Sequence, residues 1–208
     1  MNQQFLTELK AVTAENRIFT DEPMKKHTTF RVGGPADILV QPKGTELASV
    51  IRLCRKYDVP YQVIGNGSNL LVGDRGIRGL VIEMLSKEDE ICVEDDCITV
   101  GAGMLLSKTA NRAAEHGLTG MEFAAGIPGS IGGAVVMNAG AYGGEMKDIL
   151  TAVTVLDQEG NEKILSAEEL ELGYRTSCIL KKGYIVTGAK IKLKHGEETA
   201  TVSYTHLS

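Results

Sequence analysis

Cysteine is scarce in this 208-residue chain and is badly spaced for a metal. Cys54, Cys92, Cys97 and Cys178 form no Cys-x-x-Cys pair and fit no common zinc spacing, so no metal site is expected. The separation of Cys92 and Cys97 would let them face each other across a hairpin, but four reduced thiols of a cytosolic protein are the expected state. Excess positive charge is also absent. The formal net charge is −5 with both signs mixed along the chain, which speaks against a general nucleic-acid or anionic-membrane surface while allowing a local basic pocket. No apolar run approaches the roughly 20 residues of a membrane-spanning helix. Met1-Asn2-Gln3-Gln4 has no basic start followed by an apolar stretch, so no signal peptide is expected. Internal repeats and low-complexity segments are missing too. These absences lead to the expectation of a cytoplasmic protein with no obligate protein partner.

What is present begins with an ordinary core. Hydrophobic residues make up 43% of the chain, too many for a disordered segment, and the length suits one large domain or two small ones. Phe5, Leu6, Leu9 and Val12 recur at helical spacing and predict a helix over 3–14. A strand is expected over 36–41, then a helix capped by Thr45 with Leu47, Val50, Ile51 and Cys54 on its apolar face. Pro60 closes the turn before a strand over 61–64, and Leu70-Leu71-Val72 and residues 79–84 read as further strands. That order is the signature of a parallel βαβ unit.

After Ser86 the pattern changes. Residues 91–93 and 97–100 flank an acidic turn and predict a hairpin, and 105–116 predict a helix closed by Gly117. Residues 153–156 and 163–165 predict a second hairpin, Ser166 and Glu169 a capping-box pair for a short helix ending near Gly173, and 184–193 a last alternating strand. The expected fold class is α+β, with an N-terminal helix (1–20), a parallel lobe (21–85), a largely antiparallel lobe (86–195) and a tail (196–208).

Eight of the 24 glycines fall between 120 and 144. Glycine gathers where the main chain turns sharply or approaches something closely. One run reads Gly126-Ile127-Pro128-Gly129-Ser130-Ile131-Gly132-Gly133-Ala134, the next Asn138-Ala139-Gly140-Ala141-Tyr142-Gly143-Gly144. A helix opening at Ile131 would offer free N–H groups and its positive dipole end to phosphate. The alternative is a close helix–strand contact. A second cluster, Gly65-Asn66-Gly67-Ser68-Asn69, follows the 61–64 strand. It reads either as an anion nest of consecutive N–H groups or as a plain Asn-Gly hairpin. Neither loop matches the Rossmann or Walker glycine pattern.

At these residues the chain resembles the MurB family, the UDP-N-acetylenolpyruvoylglucosamine reductases of peptidoglycan synthesis. The likeness runs through His27-Thr28-Thr29-Phe30-Arg31-Val32-Gly33-Gly34-Pro35-Ala36-Asp37, Val63-Ile64-Gly65-Asn66-Gly67-Ser68-Asn69-Leu70-Leu71-Val72, the glycine-rich stretch 126–143 and Gly173-Tyr174-Arg175-Thr176-Ser177. It covers essentially 20–195. The resemblance implies a PCMH-type FAD-binding domain of two α/β subdomains, FAD held without a covalent bond, NADPH as hydride donor and a UDP-sugar substrate. It implies that Ile64, Gly65, Asn66, Gly67, Ser68, Asn69 and Leu70 hold the pyrophosphate. Gly126, Ile127, Pro128, Gly129, Ser130, Gly132, Gly133 and Ala134 would continue that grip, with Asn138, Gly140, Ala141 and Tyr142 near the flavin ring or its ribityl chain. Arg175 matches the family's catalytic arginine, with Tyr174 and Ser177 as supports. His27 belongs to the opening motif and receives no chemistry.

The family's proton-donating serine motif and C-terminal glutamate have no counterpart in this sequence. The resemblance therefore leads to the expectation of a C-terminally truncated member that binds FAD and lacks full reductase activity. Two other readings remain at this point: a PCMH-type flavin oxidase or dehydrogenase of another substrate, and a non-catalytic flavin-binding module.

Overall fold

Unbroken apolar runs bring Ile38, Leu39 and Val40 together with Leu80, Val81 and Ile82 as the fully buried middle of a parallel strand pair. The computed structural model describes residues 3–84 and 91–196. It divides into two compact units, Met1–Ser86 with Leu156–Asn161, and Lys87–Val155 with Glu162–Ser208. The boundary expected at residue 85 and the tail beyond residue 196 lie outside the described residues.

The first unit runs α1 (Gln3–Val12), β1 (Ile18–Pro23), β2 (Pro35–Val40), α2 (Gly44–Lys56), β3 (Tyr61–Ile64) and β4 (Ile77–Glu83). Its sheet order is β1-β2-β4-β3, with β2 and β3 both parallel to β4 and β1 antiparallel to β2. The βαβ crossover is thus present, with β4 inserted between its two strands. Leu47, Val50, Ile51 and Cys54 form the buried stripe of α2. The Leu47, Val50 and Ile51 side chains each contribute about 1.5–3 kcal/mol on full burial. Burial also pushes the Cys54 thiol up to about 12, so it packs as a small apolar group. The helix starts two residues earlier than its sequence suggests. Lys43 sits at the cap and donates its N–H to Glu46 Oε2 at 2.9 Å, leaving Thr45 inside the first turn. Leu70-Leu71-Val72 is irregular rather than a strand: Val72 is buried while Leu71 is 72% exposed, and no partner strand among the described residues receives it. β1 was not legible because Thr20-Asp21-Glu22 interrupts its apolar pattern, which an edge strand tolerates.

The second unit contains β5 (Ile91–Glu94), β6 (Cys97–Gly101), α3 (Leu106–Glu115), β7 (Leu118–Thr119), α4 (Ile131–Val136), β8 (Gly140–Ala141), β9 (Gly144–Glu145), β10 (Leu150–Leu156), β11 (Glu162–Ser166), α5 (Cys178–Lys182), β12 (Ile185–Lys192) and β13 (Lys194–His195). A five-stranded sheet of order β11-β10-β12-β6-β5 forms its body, with β6 antiparallel to both β5 and β12. The α4 helix lies against β12 and β6. In the β5–β6 hairpin Cys92 pairs with Thr99 and Cys97 with Glu94, so the two thiols do not oppose each other, and all four cysteines are free. Ser166 and Glu169 do exchange hydrogen bonds, at 2.8 and 3.4 Å, but the residues after them form turns instead of the expected helix.

Candidate functional site

The loop after β3 is pinned at both ends. Ile64 and Val72 belong to a buried cluster with Met24, Ala36, Leu39 and Val81, and Leu70 packs against it. Between these anchors Gly67 takes φ +60°, and a Cβ there would lie 1.9 Å from the His27 carbonyl oxygen. The Thr29 N–H also donates to the Gly67 carbonyl at 3.2 Å. Glycine is therefore demanded at this position by the chain's own 27–29 segment, not by a ligand alone. Among the described residues the N–H groups of Gly67, Ser68 and Asn69 find no protein acceptor. Successive unengaged donors in a turn are the material of an anion nest.

Beside this loop is a pocket of about 310 Å³ lined by Lys26, His27, Thr28, Thr29, Arg31, Asn66 and Glu83. His27 stands between two carboxylates. Its Nδ1 is 3.0 Å from Glu83 Oε1 and its Nε2 is 3.2 Å from Glu22 Oε1. Gln41 Nε2 donates to Glu83 Oε2 at 2.6 Å, and Lys26 Nζ donates to Glu22 at 3.0 Å. The hydrogen bond to Glu83 raises the His27 pKa, against the opposing effect of burial. Burial opposes ionisation of Glu22, yet the bonds from Lys26 and His27 hold it below the usual carboxylate range. Apart from Asn66, these pocket residues were not among the expected site residues. A visible signal was Glu83, a carboxylate closing the apolar run Leu80-Val81-Ile82.

The glycine-rich loop of the second unit is organised differently. Ser130 caps α4, its hydroxyl accepting from the Gly133 N–H at 3.4 Å and its carbonyl from Ala134 at 2.9 Å. The Ile131 N–H donates to the Met104 carbonyl and that of Gly132 to the Ala102 carbonyl, both at 2.8 Å. A Cβ on Gly132 would meet the Ala102 Cβ at 3.0 Å. This is a correction: the helix start expected to offer free donors to phosphate has its first four N–H groups engaged, and Gly132 serves close backbone packing. On the approach, Gly129 donates to Ile127 at 2.8 Å, Pro128 has no N–H, and Gly126 has open space where a Cβ would point.

Asn138 follows α4 with φ +42° and only 3% exposure. Its Nδ2 donates to Glu145 Oε2 at 2.6 Å and to the Gly173 carbonyl at 3.2 Å, and its Oδ1 accepts from the Lys147 N–H at 2.9 Å. The side chain is thus engaged within the protein, tying the β8–β9 hairpin to the 173–176 turn. Gly140 and Ala141 form β8, and Tyr142 stands 98% exposed at the hairpin tip.

Arg175 lies in the turn that Gly173 and Thr176 close by exchanging N–H···O bonds of 3.1 and 3.3 Å. It has φ +53°, it is exposed, and its guanidinium has no protein partner among the described residues. Two stays hold the turn from behind: Asn138 Nδ2 on the Gly173 carbonyl, and the buried Ser177 hydroxyl donating to the Val136 carbonyl at 2.7 Å. Ser177 and Asn138 therefore support the turn that presents Arg175.

Comparison with known proteins agrees with these motifs. The family described as "FAD binding domain" matches residues 36–166. A UDP-N-acetylenolpyruvoylglucosamine reductase of Agathobacter rectalis is 49% identical over 216 residues, which cover 98% of this chain and 69% of the relative. The enzyme of the same name from Clostridium perfringens strain SM101 is 51% identical over 200 residues, covering 95% of this chain and 66% of its own. The crystal structure of UDP-N-acetylenolpyruvylglucosamine reductase (MurB) from Thermus caldophilus superposes with a TM-score of 0.75 at 40% identity, over 88% of this chain and 64% of that one. An alkyldihydroxyacetonephosphate synthase aligns with a TM-score of 0.69 at 17% identity over 94% of this chain and 41% of its own, a likeness of fold alone. The chain spans about two thirds of the length of the curated relatives it matches.

Proposed function

Because this chain belongs to the FAD-binding domain family, with its α+β PCMH-type fold, and within it to the UDP-N-acetylenolpyruvoylglucosamine reductases, we propose that it is the flavin-holding part of an NADPH-dependent reductase acting on that UDP-sugar in the cytoplasm, in peptidoglycan synthesis and hence in cell shape and division. The family is one of flavin-dependent oxidoreductases, and the high-identity relatives favour this reading over an oxidase of another substrate. The two cofactor subdomains would be 21–85 and 86–195, after an N-terminal helix in 1–20.

The residues present suit a dinucleotide. The single observation that carries the reading is the row of N–H groups at Gly67, Ser68 and Asn69 that are unengaged among the described residues, beside a pocket with Lys26 and Arg31 on its wall. Residues 64–70 would hold the pyrophosphate, with main-chain donors instead of a helix dipole. The open side of Gly126 leaves room for the cofactor to approach the 126–130 backbone, and the residues from 132 onward support that backbone. Gly140, Ala141 and Tyr142, on an exposed hairpin, would border the flavin. Bound FAD would supply hydride transfer between NADPH and the enolpyruvyl double bond.

Arg175 would receive the substrate carboxylate. A guanidinium is always charged and planar, so it can stabilise negative charge that grows on the substrate during reduction. Among the described residues no carboxylate pairs with it, which leaves that capacity intact. The test is direct. The purified chain, mixed with FAD and desalted, should keep a near-stoichiometric flavin absorption band. Complete loss of flavin on desalting at all protein concentrations tried would overturn the cofactor assignment.

A further inference from the structure

His27 has no part in the reading so far, yet it occupies a chemically demanding position. Carboxylates meet both of its ring nitrogens, Glu83 from β4 at 3.0 Å and Glu22 from β1 at 3.2 Å. A neutral imidazole has a single N–H and would turn a lone pair toward one of those oxygens, whereas an imidazolium donates to both. The site is sheltered, with side-chain exposures of 14% for His27, 15% for Glu22 and 5% for Glu83. The main chain of the same residue is the surface on which the cofactor loop turns. The His27 carbonyl fills the space beside Gly67, and two residues on, the Thr29 N–H holds the Gly67 carbonyl. The ring and Asn66 of that loop line the same pocket.

We propose that His27, bridged as an imidazolium between Glu22 and Glu83, is a positioning residue for the 65–69 loop, and that binding of a dinucleotide pyrophosphate there is coupled to the proton on this ring. The proposal rests on the cofactor reading above and deepens it. The groups facing the ring are Glu22 from β1, Glu83 from β4 with the uncharged Gln41 donating to it from the end of β2, Lys26 within its own turn, and Arg31 and Asn66 across the pocket. Loss of the ring proton removes one of three cations from a cluster that keeps two carboxylates. It also breaks one of the two ring bonds that tie His27 to Glu22 of β1 and Glu83 of β4. A bound pyrophosphate adds negative charge nearby and favours the protonated ring. Binding then takes up a proton, and affinity falls as pH rises through the His27 pKa, which lies above the usual imidazole range.

The experiment uses the intact chain and FAD. Dissociation constants are read from flavin fluorescence between pH 6 and pH 9.5, and proton uptake from titration calorimetry in buffers of different ionisation enthalpy. Wild type should lose about tenfold in affinity across the range, the effect of a one-unit rise in the ring's pKa on binding, with net proton uptake at mid-range. His27→Gln keeps one donor and cannot titrate. It should bind about tenfold more weakly at pH 6, with a flat pH profile and no proton uptake. Wild type that binds FAD with a flat profile and no proton uptake overturns the coupling, whatever the variant does. His27→Gln with an unaltered pH slope overturns it as well. A wild-type chain that takes up no FAD at any pH sinks the cofactor reading itself, and the coupling with it.

Discussion

At 67–69 the loop N–H groups of Gly67, Ser68 and Asn69 have no protein acceptor among the described residues, whereas every N–H that opens α4, from Ile131 to Ala134, is already bonded within the protein. Both stretches are glycine-rich and both precede or follow regular structure. Their glycines answer different needs. Gly67 permits a left-handed turn against the His27 carbonyl and so leaves successive donors unengaged. Gly132 permits α4 to sit against Ala102. Glycine density therefore marks close approach without saying what approaches. One loop has donors to give to a ligand; the other uses its donors to build a platform, from which Asn138 and the Val136 carbonyl brace the Arg175 turn.

The sharpest way to break this contrast is Gly67→Val. A left-handed non-glycine residue alone costs on the order of 1–3 kcal/mol, and here the Cβ also meets backbone at 1.9 Å. Flavin retention should be lost and the thermal transition of the chain should fall; a variant with wild-type flavin absorbance after desalting would refute the nest assignment. Next in size is Asn138→Ala, which leaves Glu145 and the Gly173 carbonyl without their shared donor. We expect about 2 kcal/mol of lost stability in denaturant and faster tryptic cleavage after Arg175, because the turn loses one of its two stays. Unchanged cleavage would mean that Ser177 alone holds the turn.

Gly132→Ala should cost about 1 kcal/mol through overpacking against Ala102 while changing the FAD dissociation constant less than the Gly67 variant does. A larger loss of flavin than of stability would restore the α4 terminus as a ligand site. The smallest structural effect belongs to Arg175→Ala. Its side chain is exposed and unpaired among the described residues, so stability should stay within about 0.5 kcal/mol of wild type. In the whole reductase the same change should slow reduction of the UDP-sugar far more than reduction of the flavin by NADPH, as stopped-flow absorbance would resolve. Equal losses in both half-reactions would remove its proposed role.

Much of the scaffold was legible because long elements carry their own periodicity. The α2 stripe Leu47, Val50, Ile51 and Cys54, the β5–β6 hairpin, α3 and β12 could each be read from spacing. The pieces that escaped were short or at an edge. β8 and β9 have two residues each and α5 has five, too few for any period to show, and Leu70-Leu71-Val72 has strand composition without a partner strand among the described residues. The Ser166–Glu169 pair forms its reciprocal bonds without a helix, because two bonds do not repay the ordering of a whole turn.

From its sequence alone this chain was determined to be an α+β, FAD-binding member of a reductase family, because ordered glycine motifs and Gly-Tyr-Arg-Thr-Ser are local features that survive without coordinates. Only the tertiary structure decided which donors are unengaged. A backbone N–H is the same group at Ser68 and at Gly132, and its availability depends on whether a carbonyl from a distant stretch of chain, such as that of Ala102, arrives to take it. The same holds for His27. Its two carboxylates lie 5 and 56 residues away in the chain, and the sheet of the first unit brings β1 and β4 to opposite sides of its ring.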